Sequence, residues 1–159
     1  ILYSSGDYIL HLGADDRLYT HDVIKKIIPF INDNLDISVF MGSIIYSDST
    51  IFNSYVNSDL RFKNTVHHQA VFYNRSLFNK YGLYSLDYNI LSDFEFNQRI
   101  FLLNHVSFLV VDLLISYCRI DGISKTQRRR AQRENLRMIF PFFSHLFQEQ
   151  ILYRPYQDI

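Results

Sequence analysis

Residues 6–16 read Gly6-Asp7-Tyr8-Ile9-Leu10-His11-Leu12-Gly13-Ala14-Asp15-Asp16. The apolar run from Tyr8 to Leu12 has the composition of a short strand, and Gly13 closes it into an acidic turn. Two adjacent carboxylates at a strand's end repel each other unless a cation lies between or beside them. Hard oxygen donors of this kind suit Mg²⁺ or Mn²⁺, which take one or two carboxylates plus substrate phosphates. The carboxyl edge of a sheet is also where α/β proteins bind ligands. The competing reading is a solvated acidic turn.

Outward from this turn, strands and helices mix. Thr20 is placed as an N-cap with Asp22 in the first turn. Val23, Ile24, Ile27, Ile28 and Ile31 then recur at helical spacing, with Pro29 expected to kink or shorten the helix. Residues 37–47 and 51–56 are β-branched and aromatic, and Ser47-Asp48-Ser49 between them predicts a hairpin. Gln69 to Tyr73 reads as a strand, and Ser76 to Tyr81 as a short helix stopped by Gly82. Ser92-Asp93-Phe94-Glu95 fits a capping box that opens a helix through Leu103. Val106 to Val111 and Leu113 to Ile120 read as two strands. A second box at Ser124–Gln127 starts a C-terminal helix, with Leu136, Ile139, Phe140, Phe143, Phe147 and Ile151 as its apolar stripe and Pro141 dividing it. The pattern lacks the strict alternation of a doubly wound sheet, so the expected class is α/β or α+β with a mixed sheet.

The chain's 159 residues, 48% hydrophobic and 20% charged, suit one compact domain and exclude disorder. Its one cysteine, Cys118, cannot form an internal bridge, which fits a reducing compartment. No apolar run reaches the roughly 18–20 residues needed to span a bilayer. Sixteen basic residues balance sixteen acidic ones, but unevenly. Residues 1–118 carry 8 Lys/Arg against 12 Asp/Glu, net −4, and residues 119–159 carry 8 against 4, net +4. That polarity argues against a surface that coats nucleic acid, and leaves a local basic contact near the C-terminus.

Three further constellations bear on chemistry. Asp93 at a helix start would be kept ionised by exposed N–H groups and the helix dipole, and could act as a general base toward a hydroxyl; otherwise it merely decorates the helix. His67 and His68 on a strand would point to opposite faces, and their spacing matches no tetrahedral zinc site. Arg130, Arg133 and Arg137 fall on one helical face that could meet phosphate, anionic lipid or RNA, or simply water.

In order, these pieces resemble the second half of a family 2 glycosyltransferase with the GT-A fold. Gly6–Asp16 resembles the family's strand and metal turn. His68-Gln69-Ala70-Val71-Phe72-Tyr73-Asn74-Arg75, with Leu77-Phe78, Gly82 and Asp87, resembles its H-Q segment. Ile90 to Arg99 is similar to the acceptor-side motif, and Asp121-Gly122-Ile123-Ser124 to the element after the last core strands. The resemblance covers about residues 6–125. It departs at Ser92, where the family has an acidic residue, and at Gly13, where a third Asp is common.

The resemblance implies a partial GT-A catalytic domain over residues 1–125 and a C-terminal helical extension over 126–159. It implies inverting transfer from a nucleoside-diphosphate sugar to a glycan or lipid-linked acceptor, with Mg²⁺ or Mn²⁺ as cofactor. Asp16 would be the direct metal ligand supported by Asp15, Asp93 the catalytic base, and His68, Gln69 and Arg99 would line the acceptor side or order the site. A cytoplasmic protein is expected, with peripheral contact to the inner face of a membrane through the arginines and aromatics of residues 128–147 and no specific nucleic acid as partner. The alternative is a non-catalytic interaction domain whose basic helix binds RNA or an anionic surface. The opening Ile1-Leu2-Tyr3-Ser4-Ser5 is no signal peptide and reads as the start of a piece of a longer protein, expected to be inactive as a transferase alone.

Overall fold

The computed structural model describes residues 1–103, 105–122 and 126–152, residues 143–152 by backbone alone. Its strands are β1 (Tyr8–Ile9), β2 (Arg17–Leu18), β3 (Val39–Tyr46), β4 (Ile51–Asn53), β5 (Val71–Asn74) and β6 (Phe108–Cys118). They form one sheet in the order β1-β5-β3-β6-β2, with β4 also paired to β3. β6 runs parallel to β3 and every other pairing is antiparallel, so the sheet is mixed. The helices are α1 (Val23–Asp33), α2 (Ser76–Tyr81), α3 (Ser92–Leu102) and α4 (Arg128–Leu152). The α/β class with a mixed sheet flanked by helices is the expected one and is consistent with a partial GT-A-like fold.

Side-chain alternation along the central strands builds two cores. On one face Val39, Met41, Val71 and Tyr73 pack with Leu77 and Phe78 of α2, Phe94, Phe96 and Ile100 of α3 and Met138 of α4. On the other, Phe40, Ile44, Phe72 and Ile115 pack with Val23 and Ile27 of α1. Each such large side chain contributes about 1.5–3 kcal/mol when fully buried. Phe78 and Phe96 stack with ring centroids 4.6 Å apart, which ties α2 to α3.

Several local expectations are corrected. The first strand ends at Ile9 rather than Leu12, and the β5 strand starts at Val71 because His68–Ala70 forms a 3₁₀ turn. Asp22, not Thr20, is the α1 N-cap, and Thr20 donates its hydroxyl to the Asp22 carboxylate. α1 and α4 run through Pro29 and Pro141 without a break. Both prolines lie on exposed positions, where the carbonyl each leaves unpaired can turn to water. The two strands placed at 106–120 are one, β6, which passes Asp112 by turning that side chain outward. Its register against β3 shifts on either side of Ser43, so a bulge replaces the expected break. The hairpin, the 76–81 helix and its Gly82 stop at φ 86° are as read from the sequence.

The α4 stripe is also differently phased. Among the described side chains Glu134 and Met138 are its buried residues, whereas Leu136 and Phe140 are 62% and 70% exposed. Phe142 meets Phe62 edge to face. The side chains of Phe143, Phe147 and Ile151, and the box from Ser124, lie outside the described residues.

Candidate active site

β1 and β5 are antiparallel, so the loop leaving β1 meets the chain entering β5 at one end of the sheet. The C-terminal ends of β3 and β6 lie beside them, and Asp16 immediately precedes β2, which pairs with the end of β6. This topology draws the acidic turn, the 3₁₀ turn at His68–Ala70 and the first turn of α3 together.

The turn itself is compact. Asp16 N–H donates to the Gly13 carbonyl at 3.2 Å, and Gly13 N–H returns to Asp16 Oδ2 at 3.0 Å. A Cβ on Gly13 would stand 2.6 Å from that same oxygen, so glycine is what lets the carboxylate fold back. Gln69 Nε2 donates to Asp16 Oδ2 at 2.9 Å. Its neighbour His68 meets Asp93 through Nδ1, 2.8 Å from Oδ2. The sequence Asp16···Gln69-His68···Asp93 is therefore one continuous connection across residues 16 to 93. Ser116 of β6 pins the middle of it, donating its hydroxyl to the Gln69 carbonyl at 2.7 Å.

Electrostatics distinguish the members. Burial alone would raise the Asp93 carboxyl, but the His68 hydrogen bond and charge and the Phe94 backbone N–H reverse this and hold it below its ordinary value. His67 stacks on His68 at 5.8 Å between centroids. Burial, and secondarily the charge of His68, pushes His67 down to about 4. His11 falls to about 4 for the same leading reasons. It lies against Tyr73, Phe78 and Tyr84 and meets the Tyr84 hydroxyl through Nδ1 at 3.2 Å. Both rings are neutral at pH 7. Cys118 is pushed up to about 11, first by burial and also by the Asp16 charge, and stays a thiol.

The first turn of α3 is held from a distance. No side-chain cap bonds at its N-cap, Leu91, and Glu95 of the expected box pairs instead with Arg99. The buried Glu134 of α4 supplies the cap. Its carboxylate accepts from Asn89 N–H at 3.1 Å, Ile90 N–H at 2.9 Å and Leu91 N–H at 3.0 Å. Burial opposes its charge, but those three bonds and Arg130 win, and its carboxyl is lowered. α4 thereby fixes the turn that carries Asp93.

The other sequence candidates lie apart from this connection. Asp15 is exposed and faces Arg119 Nε at 3.7 Å. Arg99 donates to Glu95, to the Tyr81 carbonyl and to the Leu83 carbonyl at 2.8 Å. These bonds tie α3 to the end of α2 and the loop that follows it. Arg137 lies over the Tyr88 ring and Arg130 pairs with Glu134, so two of the three face arginines are engaged within the protein. The sequence reading does not include His11, Tyr84 and Glu134 among the site residues. A polar His inside the apolar run Tyr8–Leu12 is the signal available for the first; the capping role of Glu134 leaves none, because the N–H groups it caps lie more than 40 residues away.

The donor set can be compared with a divalent ion. Among the described residues no group of three or more His, Cys, Asp or Glu encloses a metal position. Two carboxylates on one open turn nevertheless fit Mg²⁺ or Mn²⁺, ions that keep several waters or substrate phosphates in their shell.

No family model matches the chain. It is 35% identical over 130 residues to proteins named PGL/p-HBAD biosynthesis glycosyltransferase from Mycobacterium bovis and Mycobacterium tuberculosis. Each match covers 77% of this chain and 49% of the relative, so the chain spans about half the length of the curated relatives it matches. These homologues support glycosyl transfer in general, and do not favour an interaction domain without catalysis.

Proposed function

Taking the relationship to glycosyltransferases as premise, we propose that this chain carries a transfer site moving a sugar from a nucleoside-diphosphate sugar to a hydroxyl of a glycan or lipid-linked acceptor, with inversion. The single observation that carries this reading is the connection Asp16···Gln69-His68···Asp93, which joins the acidic turn to a partly buried carboxylate held in its ionised form. An activated-hydroxyl displacement needs both ends: one for the leaving diphosphate and one for the incoming oxygen's proton. Asp16, aided by Asp15, would hold Mg²⁺ or Mn²⁺, which when bound neutralises charge on the departing diphosphate. The Asp93–His68 pair takes up the acceptor proton. Gln69 and Ser116 fix the spacing between the two ends. On α4, the exposed Leu136 and Phe140 beside Arg129 and Arg133 supply the surface this reading assigns to anionic headgroups at a membrane.

Calorimetry of UDP and GDP with the intact protein, with and without Mn²⁺, tests the donor end. Mn²⁺-dependent binding is expected, and Asp16→Asn should weaken it at least ~10-fold, the scale of loss seen even for groups one shell from a metal. Binding indifferent to both Mn²⁺ and Asp16 would reject the assignment.

A further inference from the structure

We propose that the atom accepting the acceptor's proton is His68 Nε2, and that Asp93 is the positioning residue behind it. This deepens the transfer reading above and rests on it. A base must reach its proton at about 2.6–3.2 Å in the reacting complex. The Asp93 side chain is only 14% exposed, and its Oδ2 is committed to His68 Nδ1. The His68 side chain is 32% exposed, so the ring is the member of the pair that faces outward. With Nδ1 held by the carboxylate, the remaining ring nitrogen is Nε2. A carboxylate on Nδ1 keeps the proton on that nitrogen and leaves the Nε2 lone pair outward, the arrangement by which a buried acid orients a histidine base.

The surroundings support this division of labour. Asp93 faces the ring from α3, His67 stacks on it from its own segment, and His11 acts on it from the loop after β1. Beyond these, Asp16 reaches the cluster through Gln69, and Tyr84 lies near Asp93. His11 and His67 are both lowered to about 4, and Tyr84 is raised, so at pH 7 these three are neutral. Asp93 is then the ionised group hydrogen-bonded to His68, ready to stabilise an imidazolium. The backbone is equally fixed: Ala70 N–H closes the 3₁₀ turn on the His67 carbonyl at 2.8 Å, and Ser116 holds Gln69.

The step balances simply. The acceptor O–H proton passes to Nε2, the oxygen forms a bond to the anomeric carbon, and the bond from that carbon to the diphosphate oxygen breaks. The nucleoside diphosphate leaves with the electron pair, and the imidazolium later returns its proton to water.

Two measurements on the intact protein decide it. Long-range ¹⁵N–¹H NMR reads the tautomer: neutral His68 is expected as the Nδ1–H form, and Asp93→Asn should weaken that preference. Nucleoside diphosphate release from UDP-glucose or GDP-mannose reads the role. His68→Gln should lose roughly 10²–10⁴-fold in kcat. A neutral Nε2–H tautomer, or a His68→Gln variant with wild-type kcat, would overturn the proposal and return the role to Asp93. Absence of turnover with every nucleotide sugar would instead count against the transfer reading, while the tautomer still decides the pairing.

Discussion

Asp93→Asn is expected to lower turnover of the intact protein by roughly 10²–10⁴-fold while leaving donor binding unchanged. Asparagine keeps the shape of the side chain and can still accept from the Phe94 N–H and from the ring. It cannot supply the negative charge that burial opposes and that His68 and Phe94 hold in place. The donor end is insulated from the change, because Asp16 contacts Gln69 rather than Asp93. The effect should therefore appear in kcat and not in the calorimetric affinity for a nucleoside diphosphate with Mn²⁺. Equal losses in both would mean that Asp93 acts by holding the fold and not the proton transfer.

Gly42→Ala is expected to cost about 3 kcal/mol, the upper end of what overpacking typically costs in a filled core. Gly42 sits in β3 where the β6 register shifts between Met41 and Ser43. A Cβ there would clash with the Leu113 carbonyl oxygen and stand 2.7 Å from Ile115 Cγ1. The first of these is backbone within the bulge, so no side-chain rotation relieves it. The β3–β6 pair must then shift, and with it Ser116, which pins Gln69. For a domain near this size, a loss of that magnitude lowers Tm by roughly 6–12 °C. Thermal unfolding followed by circular dichroism measures it; a wild-type Tm would mean that the bulge adapts freely.

What the sequence disclosed and what it hid follow a physical division. Elements set by contiguous residues were legible: the Ser47–Ser49 hairpin turn, the Ser76–Tyr81 helix with its Gly82 stop, and the acidic turn after β1. Elements decided by partners far along the chain were not. Ser92 and Glu95 satisfied the pattern of a capping box, yet a carboxylate 43 residues beyond Leu91 does the capping. Asp112 looked like a strand break, and a bulge with an outward side chain absorbed it. Leu136 and Phe140 fit a helical stripe, but the packed face of α4 is the one that carries Glu134 and Met138. At the site, Asp16, Gln69, His68 and Asp93 were each nameable from their motifs. Their hydrogen-bonded connection was not, because it depends on β1 and β5 being antiparallel.

The stereochemistry of transfer is read by ¹H NMR of the sugar product as it first forms from UDP-glucose or GDP-mannose with the intact protein and Mn²⁺. A product of anomeric configuration opposite to the donor's is expected, formed only with the metal and lost in Asp16→Asn and Asp93→Asn alike. Transfer with retained configuration, or at an undiminished rate in both variants, would contradict this expectation.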